Sequence, residues 1–514
     1  MIKILNKYKI PLLFLLFLLL HLFQLGNIPN GINVDETSLL LNAKNIAYNG
    51  TDRYNNSFPL YFKNGSSGQS AIATYIVALF FELFGVNIIT LRLPFILSGC
   101  IFFFCIYLIS KEIFDNKTTF LNCLLITIMP YFIMVFRWSL DCNIQILFIT
   151  ISLFLYIKYI KTKNKYLLIL TGISFGLTLY TYILSWILIP LFLITINIIM
   201  YKEQKIKIKE ILILFGIVSF IGLPLMYFSL SLFFDLPTIK LGMLTVYPSN
   251  NNRLNELSLN KPITNIATGL FNTLFFTPYL EYTSYPEFFT MYFLSIPLFI
   301  YGLLISIKRK VLIDKVMLGL LTNYLFLMAI ISNPNISKLN FIFVIYLYFI
   351  VLGITNIKYK TFENAIYVVY ILFFILFNCF YFNKNNDDLL YFDNGIIDTM
   401  QYVYEINDNN KDIYIDYKSN FHILIYMQYV FPIENNERDL FEQTFVSNND
   451  FKKYHKITNE HIEENSIYIL GNHKELEYYY GNEEYKKMIN NLYNYFISNN
   501  YNIQKINKYY VIIT

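Results

Sequence analysis

Asp35 and Glu36 stand side by side in GINVDETS, residues 31–38, directly after an apolar run long enough to cross a bilayer. Only 15% of the chain is charged, so an acidic pair at the mouth of a hydrophobic bundle is where catalytic carboxylates would sit. A carboxylate held there can take the proton of a hydroxyl as that hydroxyl attacks. The competing reading is structural: acids favoured by the macrodipole at the start of a helix. Two further stretches carry charge beside apolar runs. FRWSLDCN, residues 136–143, holds Arg137, Asp141 and Asn143, and SNPNISKLN, residues 332–340, holds Asn335 and Lys338. Cations in such places can neutralise negative charge that builds up in a water-poor site. Arg137 and Asp141 are four apart, a spacing at which they could equally neutralise one another on one helix face.

The elements that must position these residues follow from composition. With 56% hydrophobic and 19% aromatic residues, the chain reads as a polytopic α-helical membrane protein. Apolar runs of membrane length recur over 10–26, 91–110, 118–136, 143–160, 166–182, 184–201, 211–230, 290–307, 312–331, 339–356 and 363–382, about eleven spans. The first follows Lys3, Lys7 and Lys9 without a small-residue cleavage pattern and reads as a retained anchor. Gln69–Phe84 is apolar but short. Laid along the outer surface, it leaves Lys111, Lys117, Lys158 to Lys165, Lys202 to Lys209 and Lys308 to Lys310 inside, as the positive-inside rule asks. The N-terminus is then cytoplasmic. Asp35, Arg137, Lys338 and the long loop 231–289 share the outer face with the C-terminal segment. In that loop Tyr247, Pro248, Arg253, Glu256, Glu281, Tyr282 and Glu287 could face a substrate.

The chain reads as two domains, 1–382 in the membrane and 383–514 extracytoplasmic. The second turns polar and predicts an α/β fold: helices over 395–407 and 482–499, strands over 412–417 and 466–470, and a final strand or hairpin over 503–513. The net charge of +5 forms no basic stripe, which excludes nucleic-acid binding. The five cysteines lie in or beside apolar segments and predict no disulfide framework. His21 reads as a satisfied bundle histidine, and Trp138 and Trp186 as interface aromatics.

The acidic pair after the first span, Phe84-Gly85 ending a surface helix, Arg92-Leu93-Pro94 opening the next span, and Pro130, Arg137 and Asp141 around the second outer turn resemble polyprenyl-phosphate-sugar-dependent glycosyltransferases of the GT-C fold. Protein O-mannosyltransferases and lipid A aminoarabinose transferases are among these. Where many relatives carry Lys-Pro-Pro before the surface helix, this chain has FKNGSSGQS, residues 62–70, with Lys63 in the charge role. The resemblance implies a membrane enzyme that moves a sugar from a polyprenyl-phosphate donor to an extracytoplasmic acceptor with inversion. Asp35 would be the base. Glu36 would hold the acceptor or a bound divalent metal ion. Arg137, Lys338, Arg92 and Lys63 would meet the donor phosphate, with Asp141, Asn143 and Asn335 in support. Arg92 reads equally well as a snorkelling interface anchor. A transporter or flippase of lipid-linked sugars would also want cations near lipid phosphate. Inverted repeats and broken midplane helices would mark it, and acids gathered at one face favour the enzyme.

Overall fold

The computed structural model describes residues 2–514 apart from 65–66, 232, 235, 247–255, 279, 281, 384–391, 393, 408–409, 420–421, 448 and 477–480. Tyr247, Pro248, Arg253 and Glu281 therefore lie outside the described residues. The chain divides into two compact units: Met1–Ile28 with Phe58–Lys384, and Pro29–Ser57 with Asn385–Thr514.

The first unit is a bundle of apolar helices. Among the described residues, six are long and apolar enough to cross a membrane: Ile88–Ile113, Asp141–Thr162, Ser185–Lys202, Ile208–Ser231, Leu312–Ile330 and Lys360–Asn383. Shorter apolar helices cover Tyr8–Leu22, Ala71–Phe84, Lys165–Thr178 and Ile342–Thr355. Lipid offers no partner to a backbone N–H or C=O, so spanning segments close their hydrogen bonds within the helix. The run expected as one span over 118–136 is two helices, Asn116–Ile128 and Pro130–Val135. Pro130 has no N–H, and its ring disfavours helical geometry in the residue before it. Met129 is accordingly extended, at φ −74° and ψ 135°.

Helices Ser295–Arg309 and Ile342–Thr355 approach until their backbones touch. A Cβ at Gly302 would sit 1.8 Å from the Phe349 carbonyl oxygen, and one at Gly353 would sit 2.2 Å from that of Leu298. Small residues at a crossing let helices gain van der Waals contact where lipid supplies no hydrophobic drive between them.

The second unit holds a five-stranded mixed sheet in the order Tyr454–Lys456, Asp412–Ile415, Ser466–Gly471, Tyr509–Ile513, Asn502–Ile506. The first two pairings are parallel and the last two antiparallel. Asn507, at φ 50°, turns the closing hairpin in the left-handed geometry that short hairpin turns favour. Helix Glu483–Ser498 begins where the Asn482 side chain accepts the Tyr485 N–H at 2.7 Å. Its buried stripe Tyr485, Ile489, Leu492 and Phe496 keeps helical spacing and packs on Tyr468, Leu470 and Ile512 of the sheet. Helix Val34–Asn49, which carries the acidic pair, belongs to this unit.

Candidate active site

The acidic pair sits in the first turn of helix Val34–Asn49, and local hydrogen bonds explain why the helix starts there. Asn33 is the N-cap: its Oδ1 accepts the Asp35 N–H at 2.8 Å. The Glu36 Oε2 accepts the Asn33 N–H at 3.1 Å, which completes a capping box. Glu36 is fully buried. Of residues 31–43, Asp35 alone is partly exposed. The two acids thus divide: Glu36 holds the turn together, and Asp35 beside it is half-buried.

The rest of the segment is fixed by the C-terminal part of the same unit. Gly50, at φ 67°, ends the helix with its N–H on the Ile46 carbonyl. Asp52 then nucleates a tight loop, accepting the N–H groups of Tyr54 and Asn56 at 2.9 and 2.8 Å. The Tyr54 hydroxyl donates to Glu442 Oε1 at 2.6 Å, and the Gln428 amide reaches the same oxygen at 2.7 Å. Asn435 donates to Asn45 at 2.7 Å, and residues Asn33 and Phe392 form an isolated antiparallel bridge. Burial raises the Asp52 carboxyl above its usual range and lowers the Arg438 guanidinium to about 10, with Arg53 nearby adding to the second effect. Residues 50–57 were not singled out in the sequence; their signal is four consecutive polar residues, Thr51-Asp52-Arg53-Tyr54, directly after a helix-ending glycine.

In the first unit the polar stretches are tied to one another. Asp141 Oδ2 accepts the Ser70 N–H at 2.8 Å, joining the second turn to the 62–70 stretch. Lys63 lies on the short strand Tyr61–Asn64, paired with Gly68. Asn340 donates to the Cys142 carbonyl at 2.7 Å and accepts from the Tyr131 hydroxyl at 3.0 Å. Lys338 forms an ion pair with Glu256 at 2.8 Å, and Asn335 Oδ1 accepts the Lys338 N–H at 3.0 Å. The loops around 62–70, 136–143, 256–258 and 332–340 are therefore one connected cluster. Asn143 donates to the Trp138 carbonyl at 3.3 Å. Trp138, expected at a lipid interface, is instead buried against Tyr282, with ring centroids 4.9 Å apart.

Two buried arginines of the first unit face carbonyl oxygens. Arg137 donates to those of Leu20, His21, Phe23 and Ile28 at 2.5 to 3.0 Å. The first two belong to the last turn of helix Ile2–Leu22, whose carbonyls lack intrahelical partners, and the other two to the segment that follows it. The neutralising pair with Asp141 is not among its described contacts. Arg92 donates to the Leu25 carbonyl at 3.1 Å and is fully buried, which is not the setting of a snorkelling anchor. Asp35 and Glu36 lie in the second unit, and Arg92, Arg137, Lys63 and Lys338 in the first. Among the described residues no three His, Cys, Asp or Glu side chains gather as a metal site.

Residues 69–228 match the family model described as dolichyl-phosphate-mannose-protein mannosyltransferase. No curated protein sequence matches the chain. Among solved structures, ArnT from Cupriavidus metallidurans bound to undecaprenyl phosphate is similar over 98% of this chain and 97% of its own, with a TM-score of 0.57 at 8% identity. The apo oligosaccharyltransferase of Archaeoglobus fulgidus is similar over 83% of this chain, with a TM-score of 0.55 at 12% identity. The AglB oligosaccharyltransferase from the same organism, in complex with an inhibitory peptide and a dolichol-phosphate, gives 0.53 at 11% identity over 83% of this chain. This chain spans 63% and 64% of the length of those two. It is a multi-pass membrane protein that shares the GT-C fold of these structures and, over residues 69–228, matches the model of the dolichyl-phosphate-mannose-protein mannosyltransferases.

Proposed function

We propose that the chain is an integral-membrane glycosyltransferase that moves a sugar from a polyprenyl-phosphate donor to a hydroxyl acceptor on the extracytoplasmic face. The observation that carries the reading is Asp35. It is a carboxylate left partly exposed in the first turn of a capped helix, in a chain whose fold is shared with ArnT, itself seen bound to undecaprenyl phosphate. In the reaction, the acceptor oxygen attacks the anomeric carbon as its proton passes to Asp35. The bond from that carbon to the phosphate oxygen breaks, and the polyprenyl phosphate leaves with the electron pair. A single displacement of this kind inverts the anomeric centre. Glu36 supports the base by holding the turn.

Charge on the departing phosphate calls for nearby cations. Lys338, Lys63, Arg137 and Arg92 are the candidates for this task; Lys338 is paired with Glu256, and the guanidinium groups of Arg137 and Arg92 serve main-chain carbonyls. Asp141, Asn143 and Asn335 hold the loops that carry them. The N-terminus is placed in the cytoplasm and the C-terminal domain outside, in line with the basic loops.

The test is an Asp35→Asn variant in membranes supplied with polyprenyl-phosphate sugars and a hydroxyl acceptor. Loss of a general base costs about 10²–10⁴-fold in rate, so transfer should fall by at least about a hundredfold. Full transfer by that variant would remove Asp35 as the base.

A further inference from the structure

A cavity of about 410 Å³ opens among helices Ile88–Ile113, Gln145–Thr162, Ser185–Lys202, Leu312–Ile330 and Ile342–Thr355. Its volume falls in the range of about 300–1,000 Å³ typical of small-molecule sites. The wall is largely aliphatic, with Leu153, Ile157, Ile196, Leu320 and Val344 facing the space. Three polar groups in the wall are already answered by protein. The Tyr156 hydroxyl donates to Asn197 at 2.9 Å, Thr150 to the Ile146 carbonyl at 2.6 Å, and Tyr348 to Asp314 at 2.5 Å. Water in a cavity needs two to four polar partners, and an apolar one stays dry. Close-packed interiors do not leave voids of this size unfilled without cost.

Charge at the mouth narrows the occupant. Glu112 and Lys161 line it, and the ammonium groups of Lys158 and Lys161 share the single Glu112 carboxylate, the second at 2.8 Å. Two cations on one acid leave an excess positive charge beside a hydrocarbon-lined opening. This end of the bundle is also remote from the candidate donor cluster. Arg92 and Glu112 lie near opposite ends of one 26-residue helix, roughly 30 Å apart at the helical rise per residue.

We infer that the cavity holds one acyl chain of an anionic phospholipid, with the lipid phosphate on Lys158 and Lys161. The occupant belongs to the leaflet at this end of the bundle, where anionic headgroups and basic side chains attract. The inference is independent of the sugar-transfer reading. It requires only that the helices lie in a bilayer.

The experiment uses the full chain in detergent, exchanged against vesicles of phosphatidylglycerol, of phosphatidylcholine, or of phosphatidylcholine doped with undecaprenyl phosphate, and then examined by native mass spectrometry. One phosphatidylglycerol should stay bound per chain, and phosphatidylcholine should not. The paired substitution Lys158→Gln and Lys161→Gln should weaken that preference by about fivefold per lysine. Ile196→Trp, which fills the space, should abolish retention. A phosphatidylglycerol carrying a photoreactive group on its acyl chain gives a readout on the unmodified protein, and its crosslinks should map to residues 145–162 and 342–355. Crosslinks confined to the outer faces of other helices, equal retention of phosphatidylcholine, or preferential retention of undecaprenyl phosphate would each overturn the assignment.

Discussion

Because Glu36 Oε2 accepts the Asn33 N–H and Glu36 is fully buried, adjacent acids that look interchangeable in sequence have different work. The helix-start reading holds for Glu36, and the catalytic role proposed above is assigned to Asp35 alone. The capping box was open to reading in Asn33 and Glu36, three apart. The four acceptors of Arg137 were not, since backbone carbonyls carry no residue identity. His21 was legible for the opposite reason. A histidine amid leucines must find main-chain partners, and its ring nitrogens lie 2.7 and 3.1 Å from the Phe17 and Phe132 oxygens. The division predicts a split between variants. Glu36→Gln keeps an acceptor at the cap and should retain the helix, whereas Glu36→Ala should cost about 0.5–2 kcal/mol of local stability. Hydrogen exchange over residues 34–49 measures it. Faster exchange in Glu36→Gln than in Glu36→Ala would refute the capping role.

At the scale of elements, the polar C-terminal segment was the more readable part. The strand read over 466–470 runs Ser466–Gly471, and the helix read over 482–499 runs Glu483–Ser498 with Asn482 as its cap. Amphipathic period and cap residues are local signals, and they survive folding. In the membrane part nearly every position is apolar, so period says little and breaks are set by single residues such as Pro130. Contacts between helices were hidden for the same reason. The Gly302–Gly353 crossing shows what decides them: two missing side chains, distant in sequence, meeting at one place. Gly353→Leu should force these backbones apart and cost about 1–3 kcal/mol or more, read as a fall in the thermal midpoint in detergent. Gly216→Leu is the matched control, since a Cβ there meets nothing within 4 Å. Equal midpoints for both variants would show that the crossing contributes nothing.

The whole molecule joins what the chain separates. Read in order, residues 29–57 fall inside the membrane part; in space they group with Asn385–Thr514. Nothing local announces this. Tyr54 and Glu442 are 388 positions apart, and Asn45 and Asn435 are 390 apart, yet each pair shares a hydrogen bond. Pairings of that range carry no periodic signature. The consequence is that the helix bearing Asp35 depends on the C-terminal segment for its place. A chain ending at residue 384 keeps every helix of the first unit but leaves helix Val34–Asn49 without Phe392 and Asn435, which pair with Asn33 and Asn45. Such a truncation should still insert and purify as a single species. It should lose hydrogen-exchange protection over 34–49 and transfer sugar no better than Asp35→Asn. The point variant Tyr54→Phe removes the hydroxyl that meets Glu442 and Arg53, and should lower the turnover rate more than it raises KM for the donor, because the proposed base would be misplaced while the proposed donor-binding loops stay intact. Undiminished transfer by the truncated chain would mean that Asp35 is held in place without the C-terminal segment, and the dependence argued from these contacts would fall.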